Sequence, residues 1–214
     1  MPPLSTTIKW LFSFHKYPRY MMDFYIHFIL QPVWRGQGIK LGKHIVWRGK
    51  PILTTVKGSA LSIGDASVFC SRSTQTALGI NHPVVIRTLT PAARIAIGSA
   101  VRMSGTTICA ATSISIGDRC VIGSNVTIID TDFHALDPAV RASKNDAHEA
   151  RSRPVDIGND VFIGGGSFIL KGAQVGDAAV IGAGSVVTGA VPPRAIFAGN
   201  PARQLATIDP KKLL

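Results

Sequence analysis

A six-residue repeat in the second half of the sequence constrains the fold more than any other feature. β-Branched aliphatic residues recur at every sixth position, namely Ile157, Ile163, Ile169, Val175, Ile181 and Val187. Glycine follows four of these six residues. A period of six is a multiple of the two-residue strand period and matches no helical period, so each hexad predicts a short strand and a bend.

The same repeat appears upstream with less regularity. Ile116, Ile122 and Ile128 keep the phase, and glycine follows both Ile97 and Ile63. Stacked coils would turn the aliphatic column inward and pair the backbone of each coil with that of the next. Because three hexads per turn would close a triangular prism, the repeat predicts an all-β solenoid, the parallel β-helix.

Two stretches without the repeat interrupt the predicted solenoid. We expect the solenoid to span residues 41–192, with insertions near 74–91 and 135–154 and an exit segment over 193–214. A loop as long as the second insertion is unusual inside a compact repeat unless it has a function. We interpret it as a long external loop that folds over a neighbouring subunit on the substrate side, and a tolerated surface excursion is the alternative.

The first 40 residues form a separate aromatic and basic segment. Apolar residues recur at helical spacing from Pro18 to Leu30, which predicts a helix. Lys9, Lys16 and Arg19 lie among the aromatic residues. Two interpretations stay open: residues 9–30 make peripheral contact with a membrane, or they cap the open end of the prism or join subunits.

Composition narrows the partners and the cellular setting. The 214 residues carry 23 Lys and Arg against 12 Asp and Glu, and the net charge of +11 favours an anionic partner. No apolar stretch reaches the ~20 residues of a spanning helix. Three cysteines without a CxxC pair indicate neither a disulfide framework nor a cysteine zinc site. We therefore expect a cytoplasmic protein, with peripheral contact at the inner face of the cell membrane as the open variant.

Two stretches of the sequence resemble a known family. The first is IGDRCVIGSNVTIIDTDFH, from Ile116 to His134; the second comprises IGAGSVVT from Ile181, the VPP that follows it, and AGNPAR ending at Arg203. They resemble the hexapeptide-repeat, left-handed β-helix acyltransferases, and within that family the maltose, galactoside and polysaccharide O-acetyltransferases. The resemblance implies a left-handed parallel β-helix, a homotrimer with active sites between subunits, and acetyl-CoA as the acyl donor.

Acetyl transfer to a hydroxyl needs a base, and histidine suits this role because its unperturbed pKa lies near neutrality. The resemblance assigns the base to His134, which follows the strand over 125–127 at the start of the long insertion. Asp132 is expected to hold the other ring nitrogen, with Asp130 as the second candidate. His134 also keeps the aliphatic phase of the upstream repeat, so a partly buried structural histidine is the alternative. His82 is the rival base.

The resemblance also assigns residues to the donor. The residues expected there are Gly165, Ala183 and Thr188 along the pantetheine chain, and Arg203 at phosphate. Relatives carry a lysine where this chain has Gly189, so Arg194 is expected to supply a second phosphate contact. Solvated surface charge is the alternative for both arginines. Relatives also carry an asparagine upstream of the histidine, for which this chain offers Ser104 or Thr106.

The resemblance, together with these residues, implies an acetyl-CoA-dependent O-acetyltransferase of a sugar hydroxyl, acting by direct transfer with His134 as general base. The expected acceptor is a cell-surface polysaccharide or its lipid-linked precursor. N-acetylation of a nucleotide-linked amino sugar is the alternative within acyl transfer. A γ-type carbonic anhydrase and a noncatalytic β-helix module are alternatives of other classes; the anhydrase would need three histidine ligands, and no His-x4-His pair occurs. Neither a metal nor a nucleic-acid partner is expected.

Overall fold

The computed structural model describes residues 17–209, with side chains from residue 21 onward. In this range the chain winds into a column of three sheets, which contain seven, eight and six strands. Neighbouring strands within a sheet come from successive coils and pair in parallel, except for the last pair. The column is a left-handed parallel β-helix, and the predicted fold class is confirmed.

Each coil contributes one strand to sheet A, then one to sheet B and one to sheet C. The first coil consists of β1 (Lys40–Leu41), β2 (Val46–Arg48) and β3 (Ile52–Thr54), and the second of β4 (Ala60–Ile63), β5 (Val68–Cys70) and β6 (Val85–Thr88). The third coil consists of β7 (Arg94–Ile97), β8 (Arg102–Ser104) and β9 (Thr107–Ala110), and the fourth of β10 (Ser113–Ile116), β11 (Val121–Ser124) and β12 (Thr127–Ile129). The next two are β13 (Val155–Ile157), β14 (Phe162–Ile163) and β15 (Phe168–Ile169); and β16 (Gln174–Val175), β17 (Val180–Ile181) and β18 (Val186–Val187). The last coil consists of β19 (Ala190–Val191) and β20 (Ala195–Gly199), and β21 (Ala202–Thr207) then pairs antiparallel with β20.

The aliphatic column of the repeat forms the core. Its paired members are Ile157 with Val175 in sheet A, Ile163 with Ile181 in sheet B, and Ile169 with Val187 in sheet C, all at most 3% exposed. Full burial of a side chain of this size contributes about 1.5–3 kcal/mol. Glycine follows the aliphatic residue because the next coil comes close there: a Cβ on Gly164 would collide with the backbone nitrogen of Ala183.

Polar side chains form a ladder of hydrogen bonds along the corner between sheets A and B. Asp118 Oδ1 accepts a hydrogen bond from the Ser99 N–H at 2.7 Å, and Asn159 Oδ1 accepts one from the Asp118 N–H at 2.9 Å. Asp177 Oδ1 accepts one from the Asn159 N–H at 2.7 Å. These bonds satisfy backbone donors that no strand pairs, and they hold the coils in register.

The N-terminal segment covers one end of the column. It consists of α1 (Tyr17–Tyr25), a π-helical turn (Ile26–Leu30) and α2 (Gln31–Gly36), so the predicted N-terminal helix is confirmed and extends further. The Trp34 ring lies 5.4 Å from that of Trp47, which stacks on Phe69 of the next coil. Lys9 and Lys16 lie outside the described residues. None of the described helices has the length and apolar character needed to cross a membrane.

Two predicted boundaries differ from the structure. The interruption predicted over 74–91 is shorter, because Val85–Thr88 form β6, with Ile86 fully buried in the core. The column also continues beyond residue 192, since Ala195–Gly199 pair with β17. Pro192 and Pro193 do not end it because they lie at a corner, where no strand hydrogen bond is needed.

Two segments leave the column. The first excursion (residues 71–84) lies between β5 and β6, at the corner between sheets B and C. The second excursion (residues 130–154) lies between β12 and β13, at the corner between sheets C and A, and contains the short helix α3 (Pro138–Arg141). The second excursion carries the histidine that the sequence singled out.

Candidate active site

The two ends of the second excursion pair with each other. The Asp132 N–H donates to the Arg151 carbonyl oxygen at 3.0 Å, and the Arg153 N–H donates to the Asp130 carbonyl oxygen at 2.9 Å. This antiparallel clasp fixes the backbone at the base of the excursion. It therefore also fixes the point from which His134 projects.

His134 stands exposed just beyond the clasp. Its Nδ1 lies 2.6 Å from Oδ2 of Asp146, and Oδ1 of Asp146 accepts a hydrogen bond from the Ala135 N–H at 2.7 Å. Because the His134 side chain is 66% exposed, the alternative of a partly buried structural histidine is wrong. When Nδ1–H donates to the carboxylate, Nε2 is left with the lone pair that a general base needs.

The electrostatics of this pair suit proton transfer. The hydrogen bond from His134, followed by that from the Ala135 N–H, lowers the pKa of Asp146 below its ordinary value of 3.8. The carboxylate is therefore ionised at neutral pH. An ionised partner fixes the tautomer of the ring and also stabilises the imidazolium that forms when the base takes a proton.

The predicted partners of His134 are engaged elsewhere, so that prediction is wrong. Asp132 Oδ1 accepts a hydrogen bond from Lys171 Nζ at 2.6 Å. Asp130 is fully buried and accepts hydrogen bonds from two backbone N–H groups. The true partner, Asp146, comes twelve residues after the histidine. Sequence spacing could not reveal it, because the excursion folds back through a path that follows no repeat.

The five residues expected at the donor lie on three different parts of the column. Gly165 and Ala183 occupy the corner between sheets B and C in successive coils. Thr188, at the corner between sheets C and A, lines a pocket of about 250 Å³ together with Arg203 of β21. Arg194 follows β19 at the corner between sheets A and B. A single protomer therefore brings Gly165 next to Ala183 and Thr188 next to Arg203, but it does not bring all five residues together.

A second pocket links this region to the second excursion. It has a volume of about 240 Å³, and Thr188, Asp132, Phe133 and Lys171 are among its lining residues. Since Thr188 lines both pockets, they adjoin each other along one corner. Phe133 directly precedes His134, so the candidate base and part of the expected donor site share the same corner of the column.

Other candidates are less suited to chemistry. The Thr106 side chain is fully buried, so it is unable to replace the family's asparagine at a substrate. Burial raises the pKa of both the Cys109 and Cys120 thiols, which disfavours the nucleophilic thiolate. His82 belongs to the first excursion, where its Nδ1 lies 2.8 Å from the Pro83 carbonyl oxygen. In the part of the chain that the structure describes, no three His, Cys, Asp or Glu side chains are grouped to hold a metal ion.

Two family models match parts of the chain. A profile described as "Bacterial transferase hexapeptide (six repeats)" matches residues 154–189, and one described as "Hexapeptide repeat of succinyl-transferase" matches residues 104–129. Both ranges are coils of the column. The molecule is thus a hexapeptide-repeat solenoid whose coils match family models of hexapeptide-repeat transferases.

Individual relatives agree with this class. The galactoside O-acetyltransferase of Escherichia coli is 41% identical over 97 residues, which make up 45% of this chain and 45% of that protein. AntD, an N-acyltransferase from Bacillus cereus in complex with dTDP and 3-hydroxybutyryl-CoA, matches the fold with a TM-score of 0.62 at 19% identity, over 85% of this chain and 89% of that chain. The chain spans less than half the length of the curated relatives it matches.

Proposed function

We propose that the protein is an acetyl-CoA-dependent acetyltransferase that acts on a saccharide hydroxyl. The observation that carries the proposal is the contact of the exposed His134 with the carboxylate of Asp146, on the same corner of a hexapeptide-repeat column as Thr188. Transfer to oxygen is supported by the similarity to a galactoside O-acetyltransferase. A cell-surface polysaccharide or its lipid-linked precursor is the proposed acceptor.

The proposed transfer is direct. Nε2 of His134 accepts the proton of the acceptor hydroxyl while its oxygen attacks the carbonyl carbon of the thioester. The carbon–sulfur bond then breaks, and the imidazolium returns the proton to the departing thiolate. The products are an acetyl ester and free CoA, and no acyl-enzyme forms because the acceptor oxygen attacks the thioester itself. Throughout, the carboxylate of Asp146 holds Nδ1 and stabilises the charged ring.

We also propose that the active unit is a homotrimer. Gly165 and Ala183 lie on a different corner from Thr188, so a donor groove that uses all three is complete only between two protomers. Three-fold symmetry would set the B–C corner of one chain beside the C–A corner of the next. Light scattering should give three times the chain mass of 22.7 kDa. An active monomer would contradict this part of the proposal.

Release of free thiol from acetyl-CoA, measured with a panel of neutral and amino sugars, tests the activity. We expect release only when an acceptor is present, and a product that hydroxylamine cleaves as an ester. Absence of release with every acceptor would contradict acetyl transfer to a saccharide. A hydroxylamine-stable amide, formed only on amino sugars, would contradict transfer to oxygen.

A matched pair of variants tests the base. His134→Ala should lower kcat/KM by about two to four powers of ten. His148→Ala should leave it unchanged, because His148 is 89% exposed in the same excursion and its ring pairs with Glu149 rather than with Asp146. Equal turnover by the two variants would contradict the role of His134.

We further propose that the N-terminal end of the column contacts an anionic membrane surface. Residues 1–64 contain nine Lys and Arg against one Asp, a net charge of +8, whereas the remaining residues contain fourteen against eleven, a net charge of +3. The helical segment in this end also has an exposed apolar face, formed by Met21, Phe24, Tyr25, Phe28, Ile29 and Val33. Apolar area combined with basic charge is what binds a helix to an anionic bilayer.

Flotation of the full-length chain with vesicles tests this contact. We expect binding to vesicles that contain phosphatidylglycerol, little binding to pure phosphatidylcholine, and loss of binding in Phe24→Ser/Phe28→Ser. Failure to bind the anionic vesicles would contradict the contact. If the double variant instead changes the oligomeric mass, the face is a subunit contact and the membrane proposal fails.

A further inference from the structure

A positively charged pocket of about 450 Å³ lies at the base of the second excursion. It is lined by Arg151, Ser152, Arg153 and Lys171, none of which is acidic. Arg153 and Lys171 also line the 240 Å³ pocket that contains Thr188 and Phe133. The positive charge therefore lies next to the corner that carries the candidate base and part of the expected donor site.

The charges of this pocket are only partly neutralised. Lys171 forms an ion pair with Asp132 at 2.6 Å, and each of these side chains is 24% exposed. Among the residues that the structure describes, the guanidinium groups of Arg151 and Arg153 form no hydrogen bond or ion pair. Three cations thus face one carboxylate, which leaves a local charge of +2. Neither arginine has a structural ion pair that would explain its presence.

The backbone that carries the two arginines is held in place. Arg151 accepts and Arg153 donates the hydrogen bonds of the clasp, and Thr131 and Ser152 form an antiparallel bridge between them. The Arg153 side chain also lies against the corner, since a Cβ on Gly172 would be 3.2 Å from its Nε. The backbone of the two arginines is fixed, and their guanidinium groups have no hydrogen-bond partner among the described residues. Such guanidinium groups are suited to bidentate hydrogen bonding with phosphate oxygens.

We infer that this pocket binds a phosphate or diphosphate group of one of the two reactants. The identity of those reactants rests on the proposed function, whereas the binding of phosphate to the pocket does not depend on it. Two sources share this chemistry: the phosphorylated end of CoA, and an acceptor sugar attached to phosphate. An acceptor phosphate would lie close to the reacting hydroxyl, whereas the phosphates of CoA would lie at the far end of the pantetheine chain from the thioester.

Titration calorimetry with inorganic pyrophosphate tests the site without any turnover. We compare the wild type with Arg151→Gln/Arg153→Gln and with Arg102→Gln, an exposed arginine of β8 that lines neither pocket. The double variant should bind pyrophosphate at least about tenfold more weakly, while Arg102→Gln should match the wild type. Equal affinity in all three proteins, or no binding by the wild type, would overturn the inference even if acetyl transfer is observed.

Competition experiments identify the source. Adenosine 3′,5′-bisphosphate, which represents the phosphorylated end of CoA, should displace pyrophosphate if the donor uses the pocket. Uridine diphosphate should displace it if a phosphate-linked acceptor does. If the donor uses the pocket, the double variant should have a higher KM than the wild type for acetyl-CoA but not for acetyl-pantetheine. If a phosphate-linked acceptor uses it, the double variant should have a higher KM for a sugar phosphate but not for the free sugar. Competition by neither compound, with both KM values unchanged, would overturn the inference.

Discussion

Each of the two excursions of the column carries a histidine that is a candidate base, and these two histidines have different partners. In the first excursion, His82 lies against the carbonyl oxygen of its own neighbour, Pro83, at 2.8 Å. In the second, His134 lies against the carboxylate of Asp146 at 2.6 Å. A carbonyl oxygen fixes the tautomer of the ring, whereas a carboxylate also stabilises its protonated form. The negatively charged partner therefore makes His134 better suited than His82 to act as the base.

The excursions also differ in how they are attached. The first packs onto the column: the Asn81 N–H donates to Asn125 Oδ1 at 2.8 Å, and Ile80 covers Gly105 closely. The second is closed by its own clasp and stands beside two pockets. We interpret the first as a structural addition and the second as the catalytic loop.

The largest expected difference is in turnover. His134→Ala should lower kcat by about two to four powers of ten, whereas His82→Ala should lower it less than about tenfold. Steady-state kinetics with acetyl-CoA and one acceptor measure both values. The reverse ranking would make the first excursion the catalytic one and would break the comparison.

Removal of the carboxylate should have the next largest effect. Asp146→Asn keeps the size of the side chain but removes its charge, so the imidazolium loses stabilisation and kcat should fall about ten- to a hundredfold. Glu149→Gln removes a charge from the same excursion without touching His134 and serves as the control. Comparable rates for the two variants would show that Asp146 does not assist the base.

The attachment of the first excursion should matter for stability more than for rate. Asn125→Gly removes the side-chain acceptor at a position with φ of 59°, which glycine adopts without strain. We expect a loss of about 0.5–1.5 kcal/mol in the free energy of unfolding by denaturant, with kcat unchanged. Asn125→Asp retains the acceptor oxygen and should lose less. A large loss of kcat in Asn125→Gly would assign a catalytic part to the first excursion.

The smallest expected effect is on the pH dependence of local order. Folding lowers the pKa of Asp146, so the ionised carboxylate stabilises the folded excursion. This stabilisation is fully present above the ordinary pKa of 3.8 and is lost as pH falls through the lowered pKa. Hydrogen exchange at the Ala135 amide, corrected for intrinsic rates, should therefore show constant protection from pH 7 to pH 4. Protection should be absent at every pH in Asp146→Ala, which removes the acceptor oxygen of the Ala135 N–H. Loss of protection in the wild type between pH 6 and pH 5 would contradict the assignment.

The sequence predicted the coils well because every sixth residue must fill the interior, as Ile163 and Ile181 do. It missed β6 because Ile86 is followed by Arg87, so this strand lacks the aliphatic–glycine pair by which the repeat was recognised. It singled out His134 by resemblance, which stays a prediction, and it missed the contact of His134 with Asp146. A contact across an irregular excursion depends on the path of the chain, and no periodic position records that path.

The pH dependence of kcat/KM tests the role of His134 most directly. We expect the wild type and His82→Ala to lose activity on the acid side along a single limb of unit slope, as one base becomes protonated. The residual activity of His134→Ala should lack this limb. If His134→Ala retains the same acid limb as the wild type, another group is the base and the central claim is contradicted.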